Sequence, residues 1–179
     1  MKSEENFTRN YRKLESSVGV PLRIIHVLRN PFDMIATSAI ISSQGVDILR
    51  QMKNATQDGS NERNVHKFSD HDLIDKGIDT RFKYLYGAQR VINEVLGPEK
   101  VLDIHNSDLV ADPKGTVSKI FEFLEIETTQ QFLDACEAKV FKSVSRSRDM
   151  VAWTPEQIER VESRMKDFDS LKRYSFTSD

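Results

Sequence analysis

The chain has 179 residues, and its 26 Lys+Arg against 28 Asp+Glu leave a formal net charge of −2, without the basic excess of a general nucleic-acid binder. Its one cysteine, Cys136, excludes an internal disulfide and a cysteine-built zinc cage. No apolar run approaches the roughly 18 residues of a membrane span.

At about 150 residues per domain, this length predicts a single domain with a sizeable core. Residues 1–6 are polar and acidic and contain no signal-peptide core. A short polar helix is expected over 8–17, ended by Gly19 and Pro21. Leu22-Arg23-Ile24-Ile25-His26-Val27-Leu28 is mostly apolar and β-branched, which predicts a strand buried on both faces in a parallel sheet. Asn30-Pro31 then opens a helix: Asn30 suits the N-cap and Pro31 the first helical position. Asp33 falls in the first turn, where the macrodipole favours an anion. Met34, Ile35, Ser38 and Ile41 mark one face of that helix.

Residues 43–78 are polar and weakly periodic, which predicts a mobile excursion with a short helix at 46–54. Within it, His66, Asp70, His71 and Asp72 read as a solvated cluster rather than a metal site. Phe82, Leu85, Gln89, Ile92 and Leu96 predict a helix over 79–96, stopped by Gly97-Pro98. Val101–His105 is a second short strand, and Asp112-Pro113 starts a helix carrying Val117, Ile120, Phe121 and Leu124. Another helical piece is expected at 129–138. A basic, hydroxyl-rich stretch over 142–153 leads to Thr154-Pro155-Glu156-Gln157, a capping box. Ile158, Val161, Met165 and Phe168 stripe the last helix, with Trp153 as its hydrophobic staple. Strands alternating with helices define an α/β fold with a parallel sheet flanked by helices.

Ligands of open parallel sheets sit beyond the carboxyl ends of the strands. Arg29 stands there, and the helix opening at Pro31 should direct free N–H groups and a partial positive charge to the same place. Thr37 and Ser38 lie two turns into that helix. A guanidinium, a helix start and a hydroxyl make a phosphate site; the alternative is a local pair between Arg29 and Asp33.

The run from Ile24 to Ser38, IIHVLRNPFDMIATS, resembles the 3′-phosphate-binding segment of sulfotransferases: a hydrophobic strand, Arg-Asp/Asn-Pro-x-Asp, and a hydroxyl residue eight after the arginine. Residues 101–113, VLDIHNSDLVADP, followed by Ile120-Phe121-Glu122-Phe123-Leu124, resemble a second block of that family, and the basic stretch before Trp153 is similar to its late nucleotide loop. The resemblance covers most of residues 20–175 in the family's order. It implies a P-loop-type sulfotransferase fold over residues 1–179. It also implies the donor 3′-phosphoadenosine 5′-phosphosulfate, with adenosine 3′,5′-bisphosphate as product, and a hydroxyl or amine acceptor on a small molecule, glycan or protein. By position Arg29 and Thr37 would hold the 3′-phosphate, with Ser38 as substitute, and Ser143, Arg146 and Arg148 would serve the late loop.

Two family elements have no counterpart. None of the seven glycines forms the Gly-rich 5′-phosphosulfate loop, and no residue between the blocks carries motif support as general base, Asn6 and Glu15 included. The reading is therefore of an N-terminally incomplete domain with little or no activity on its own. Its sheet edge and apolar face would be exposed and open to homo-oligomer formation. No nucleic-acid or membrane partner is expected. The compartment would be cytoplasmic, or Golgi if a longer form carries an anchor. The alternative function is a non-catalytic nucleotide-binding or protein-interaction module on the same scaffold. A nucleoside kinase or NTPase is disfavoured, since Gly-x-x-x-x-Gly-Lys-Ser/Thr is absent.

Overall fold

A computed structural model describes residues 2–20, 22–43, 67–140 and 142–178. They form a helix-dominated α/β fold: helix α1 (Lys2–Val18), strand β1 (Ile24–Leu28), helix α2 (described over 31–43), α3 (His71–Val91), β2 (Val101–His105), α4 (Asn106–Ala111), α5 (Pro113–Leu124), α6 (Gln130–Glu137) and α7 (Pro155–Met165). Two compact units divide them: Met1–Leu28 with Lys83–Val144, and Arg29–Phe82 with Ser145–Asp179.

The first unit holds the sheet. β1 and β2 pair in parallel, with Ile24 opposite Val101 and Leu28 opposite His105. α1 ends where Gly19 takes φ 72° and its N–H donates to the Glu15 carbonyl, a left-handed stop that favours glycine. Tyr11 of α1 is buried with Val91 and Leu96, and Leu22, Ile24 and Val101 pack against that cluster. The Tyr11 hydroxyl lies 3.2 Å from both the Leu22 carbonyl and Glu15 Oε1, and Lys100 Nζ lies 3.1 Å from Glu15. Glu15 is therefore spent in a structural network; Lys100 holds its carboxyl below the usual range, and burial pushes the Tyr11 hydroxyl up. Asp112 caps α5 by accepting from the Gly115 N–H at 2.9 Å, and Thr129 caps α6. Lys114 bridges Asp134 and Glu137 at 2.8 and 2.9 Å, tying α5 to α6.

β1 is not buried on both faces, as its apolar run predicts. Ile24, His26 and Leu28 lie on one face, where His26 Nδ1 meets Asp103 Oδ1 at 2.9 Å. On the other face Ile25 is 36% and Val27 56% exposed. Hydrophobic content cannot report which faces of a strand are covered; that depends on neighbouring elements.

The second unit is built from helices. Asp70 caps α3, with Oδ1 accepting from the Leu73 N–H at 3.0 Å. Phe68 forms a short parallel bridge with Val151. The described structure resumes at residue 67, and α3 starts at His71 rather than at 79. Ile74, Ile78 and Phe82 bury one face of α3, but Asp75-Lys76-Gly77 between them hides the period in the sequence. The expected helix at 46–54 and His66 lie outside the described residues. On α7, both halves of the capping box form: the Gln157 N–H donates to Thr154 Oγ1 and the Thr154 N–H to Gln157 Oε1, each at 3.2 Å. Gln157 also donates to the His71 carbonyl and Asp75, and Arg160 and Arg164 pair with Asp79. Gly77 allows α3 to approach α2, since a Cβ there would sit 3.2 Å from Ile35 Cγ2. The buried face of α2 carries Phe32, Ile35, Ala36, Ala39 and Ile40; Ser38 and Ile41, expected on that face, are exposed. Among the described residues, no helix is long and apolar enough to cross a membrane.

Candidate functional site

The site grows from the start of α2. Asn30 is the predicted N-cap and does more than cap. Its Oδ1 accepts from the Phe32 N–H at 3.1 Å, and its carbonyl accepts from the N–H groups of Asp33 and Met34. Its Nδ2 donates to the carbonyls of Ser175 and Ser178 at 2.9 and 2.8 Å, which anchors the C-terminal segment. Pro31 has no N–H, so the first-turn amides are all accounted for. The expectation of free helix-terminal N–H groups is thereby corrected: Asn30 takes those of Phe32, Asp33 and Met34.

Two such side chains stand out. Arg29 donates from Nη2 to the Ser145 carbonyl at 2.8 Å, while its Nε is buried and makes no hydrogen bond. The Thr37 hydroxyl is likewise buried without a partner, although helical Ser and Thr hydroxyls often bond the carbonyl one turn back. A buried polar group left unsatisfied costs about 1–3 kcal/mol. Thr37, not Ser38, is the residue turned inward; Ser38 is exposed. A phosphate would accept from both orphaned donors, and arginine's planar fork suits that work.

The alternative pairing of Arg29 with Asp33 does not form the site's ion pair. Asp33 is fully buried, and its partner is Arg148, 115 residues away in sequence. Asp33 Oδ1 accepts from the Arg148 backbone N–H at 3.0 Å and Oδ2 from Arg148 Nη1 at 3.2 Å. Both side chains are 0% exposed. Removing one partner of such a pair costs about 3–5 kcal/mol, since the other charge is left buried. Beside it, Phe32, Trp153 and Phe176 meet edge to face, with ring centroids 5.1–6.3 Å apart. Trp153 Nε1 donates to the Arg148 carbonyl at 3.0 Å.

The late-loop residues separate. Arg148 is turned into the protein on Asp33. Arg146 is exposed, with Nε 2.9 Å from Asp149 Oδ2. Ser143 is exposed and belongs to the first unit. The structure thus brings together Arg29, the first turn of α2 and the segment 145–148, all in the second unit. Thr37 lies one helical turn, about 6 Å of rise, beyond Asp33 on the same face. Ser145 was missed by sequence reading because it acts through its carbonyl, which every residue owns. The partner of Asp33 was missed because nothing local marks a contact across 115 residues.

The family model described as "Sulfotransferase family" matches residues 22–130, more than half of the chain and the span that opens on β1 and α2. The chain belongs to the sulfotransferase family. In fold it is similar to the crystal structure of mouse sulfotransferase SULT7A1 complexed with PAP, with a TM-score of 0.52 and 12% identity. The match covers 85% of this chain and 59% of that one, so the chain spans under two thirds of that structure. No curated protein matches the sequence at a significant level.

Proposed function

We propose that this chain binds the 3′-phosphate of 3′-phosphoadenosine 5′-phosphosulfate, and of its product adenosine 3′,5′-bisphosphate, through Arg29 and Thr37. The binding serves sulfuryl transfer to a hydroxyl or amine acceptor. The observation that carries this reading is the pair of orphaned donors, Arg29 Nε and Thr37 Oγ1, at the two positions the family pattern singles out. Membership of the sulfotransferase family supports it, as does the likeness in fold to a sulfotransferase complexed with PAP. The nucleotide supplies the sulfuryl group to be transferred. The protein's residues bind and orient: Arg29 offers a charge-assisted donor, and Thr37 offers a hydroxyl on a rigid helix. Arg146, exposed and in the same unit as Arg29 and Thr37, belongs to the same reading as a late-loop contact.

Titration calorimetry with adenosine 3′,5′-bisphosphate tests the proposal. The intact chain should bind, and Arg29→Ala should bind at least about tenfold more weakly, the equivalent of losing one charge-assisted hydrogen bond. No binding, or equal binding by the variant, refutes it. A radiolabelled sulfate-transfer assay on the same protein then separates an enzyme from a non-catalytic nucleotide-binding module.

A further inference from the structure

The buried ion pair between Asp33 and Arg148 is given no part in the ligand contacts proposed above, and Asp33 stands between Arg29 and Thr37 in the sequence. Arg148 is the last residue of a short run that begins at Ser145. Both its backbone N–H and its guanidinium are fastened to the one carboxylate of Asp33. Ser147, next to it, is 0% exposed, and the Ser145 hydroxyl lies 3.4 Å from that of Ser147. The Ser145 carbonyl at the start of the run receives Arg29 Nη2. Asp33 and Arg29 are four residues apart, but they are connected through a segment more than a hundred residues away.

We propose that Asp33 is a positioning residue: through Arg148 it fixes the segment 145–148, so that the Ser145 carbonyl aims the Arg29 guanidinium. A carboxylate accepting from both the main chain and the side chain of one residue constrains that residue's position and rotation, which a single surface ion pair does not. An arginine side chain has several soft torsions, and one fixed acceptor at Nη2 limits which way Nε and Nη1 can face. The functional consequence rests on the phosphate reading above; the positioning itself does not.

The test reads the two separately. The Arg29 Nε–Hε resonance, assigned by its loss in Arg29→Lys, is followed by NMR in the wild-type chain, in Asp33→Asn and in the paired replacement Asp33→Leu with Arg148→Met. Asp33→Asn is isosteric and retains an acceptor for the Arg148 N–H. The apolar pair removes both charges together, which buried ion pairs generally tolerate, and so supplies a folded protein if the single variant unfolds. Val161→Ala is the control, a buried apolar truncation in the same unit at a residue outside the segment. The expected result is an ordered Arg29 resonance in wild type and control, collapsing towards the disordered-arginine position in the Asp33 variants. In parallel, bisphosphate affinity falls about tenfold in those variants and much less for adenosine 5′-monophosphate, which lacks the 3′-phosphate. An Arg29 resonance unchanged in the Asp33 variants overturns the proposal. Loss of Arg29 order in a protein that never binds the bisphosphate upholds the positioning and overturns the phosphate reading.

Discussion

Replacing Thr37 with valine should move stability and binding in opposite directions. The two side chains have nearly the same shape, and their helix propensities are close. The Thr37 hydroxyl is buried and has no hydrogen-bond partner. In the free protein its removal therefore breaks nothing and relieves a desolvation cost of about 1–3 kcal/mol. For a chain of this size each kcal/mol corresponds to roughly 2–4 °C in the unfolding midpoint, so Thr37→Val should melt a few degrees higher. In the bound protein the same hydroxyl would donate to a phosphate oxygen, a bond to a charged acceptor worth about 1.5–3 kcal/mol. Affinity for adenosine 3′,5′-bisphosphate should then fall about 10–100-fold. Calorimetric titration and thermal unfolding on the same preparation read both effects. A variant that melts lower than wild type shows that the hydroxyl has a structural partner. A variant of unchanged affinity shows that it does not meet the ligand. Either result removes Thr37 from the site.

Two further predictions concern what holds the second unit together. Thr154→Ala removes the hydroxyl that accepts from the Gln157 N–H and opens the capping box of α7, so the unfolding midpoint should drop by the equivalent of about 1 kcal/mol; Thr154→Ser should restore it. Acid should also weaken this unit. The hydrogen bond from Arg160, with further help from Arg164, holds the Asp79 carboxyl below its usual range. A depressed acid contributes stability at pH values above the ordinary carboxylate value of about 4, and that contribution is lost as pH falls through the lower, folded-state value. The midpoint of Asp79→Asn, followed from neutral pH downward, should therefore start lower than wild type and fall less steeply below about pH 4. Parallel acid limbs would show that the Asp79 pairs contribute nothing to folding.

The local elements were readable because their causes are local. Asn30-Pro31 starts α2, Thr154-Pro155 with Gln157 starts α7, Asp112-Pro113 starts α5, and Gly19 and Gly97 end what precedes them, each through a bond or backbone constraint within a few residues. The two strands read correctly as parallel partners because an apolar run followed by a helix leaves few other solutions. Arg29 and Thr37 were legible as candidate phosphate ligands from their resemblance to a family segment, and the structure leaves one polar atom of each buried without a partner. Other features required the tertiary structure, since they depend on contacts whose partners are far apart in sequence. Asn30 consumes the amides that an isolated helix start would offer, and it anchors residues 175 and 178 as well. Asp33 pairs with Arg148 at two points, through its main chain and its guanidinium, while Arg29 turns to the Ser145 carbonyl, and neither partner is marked by local sequence. Thr37 faces inward and Ser38 outward because the buried side of α2 is set by Phe32 and Ile35, not by the period of its apolar residues alone. Sequence by itself determined which residues could start, stop and charge each element. Which charged groups remain free for a ligand was decided only by packing, because burial selects among partners that spacing cannot rank.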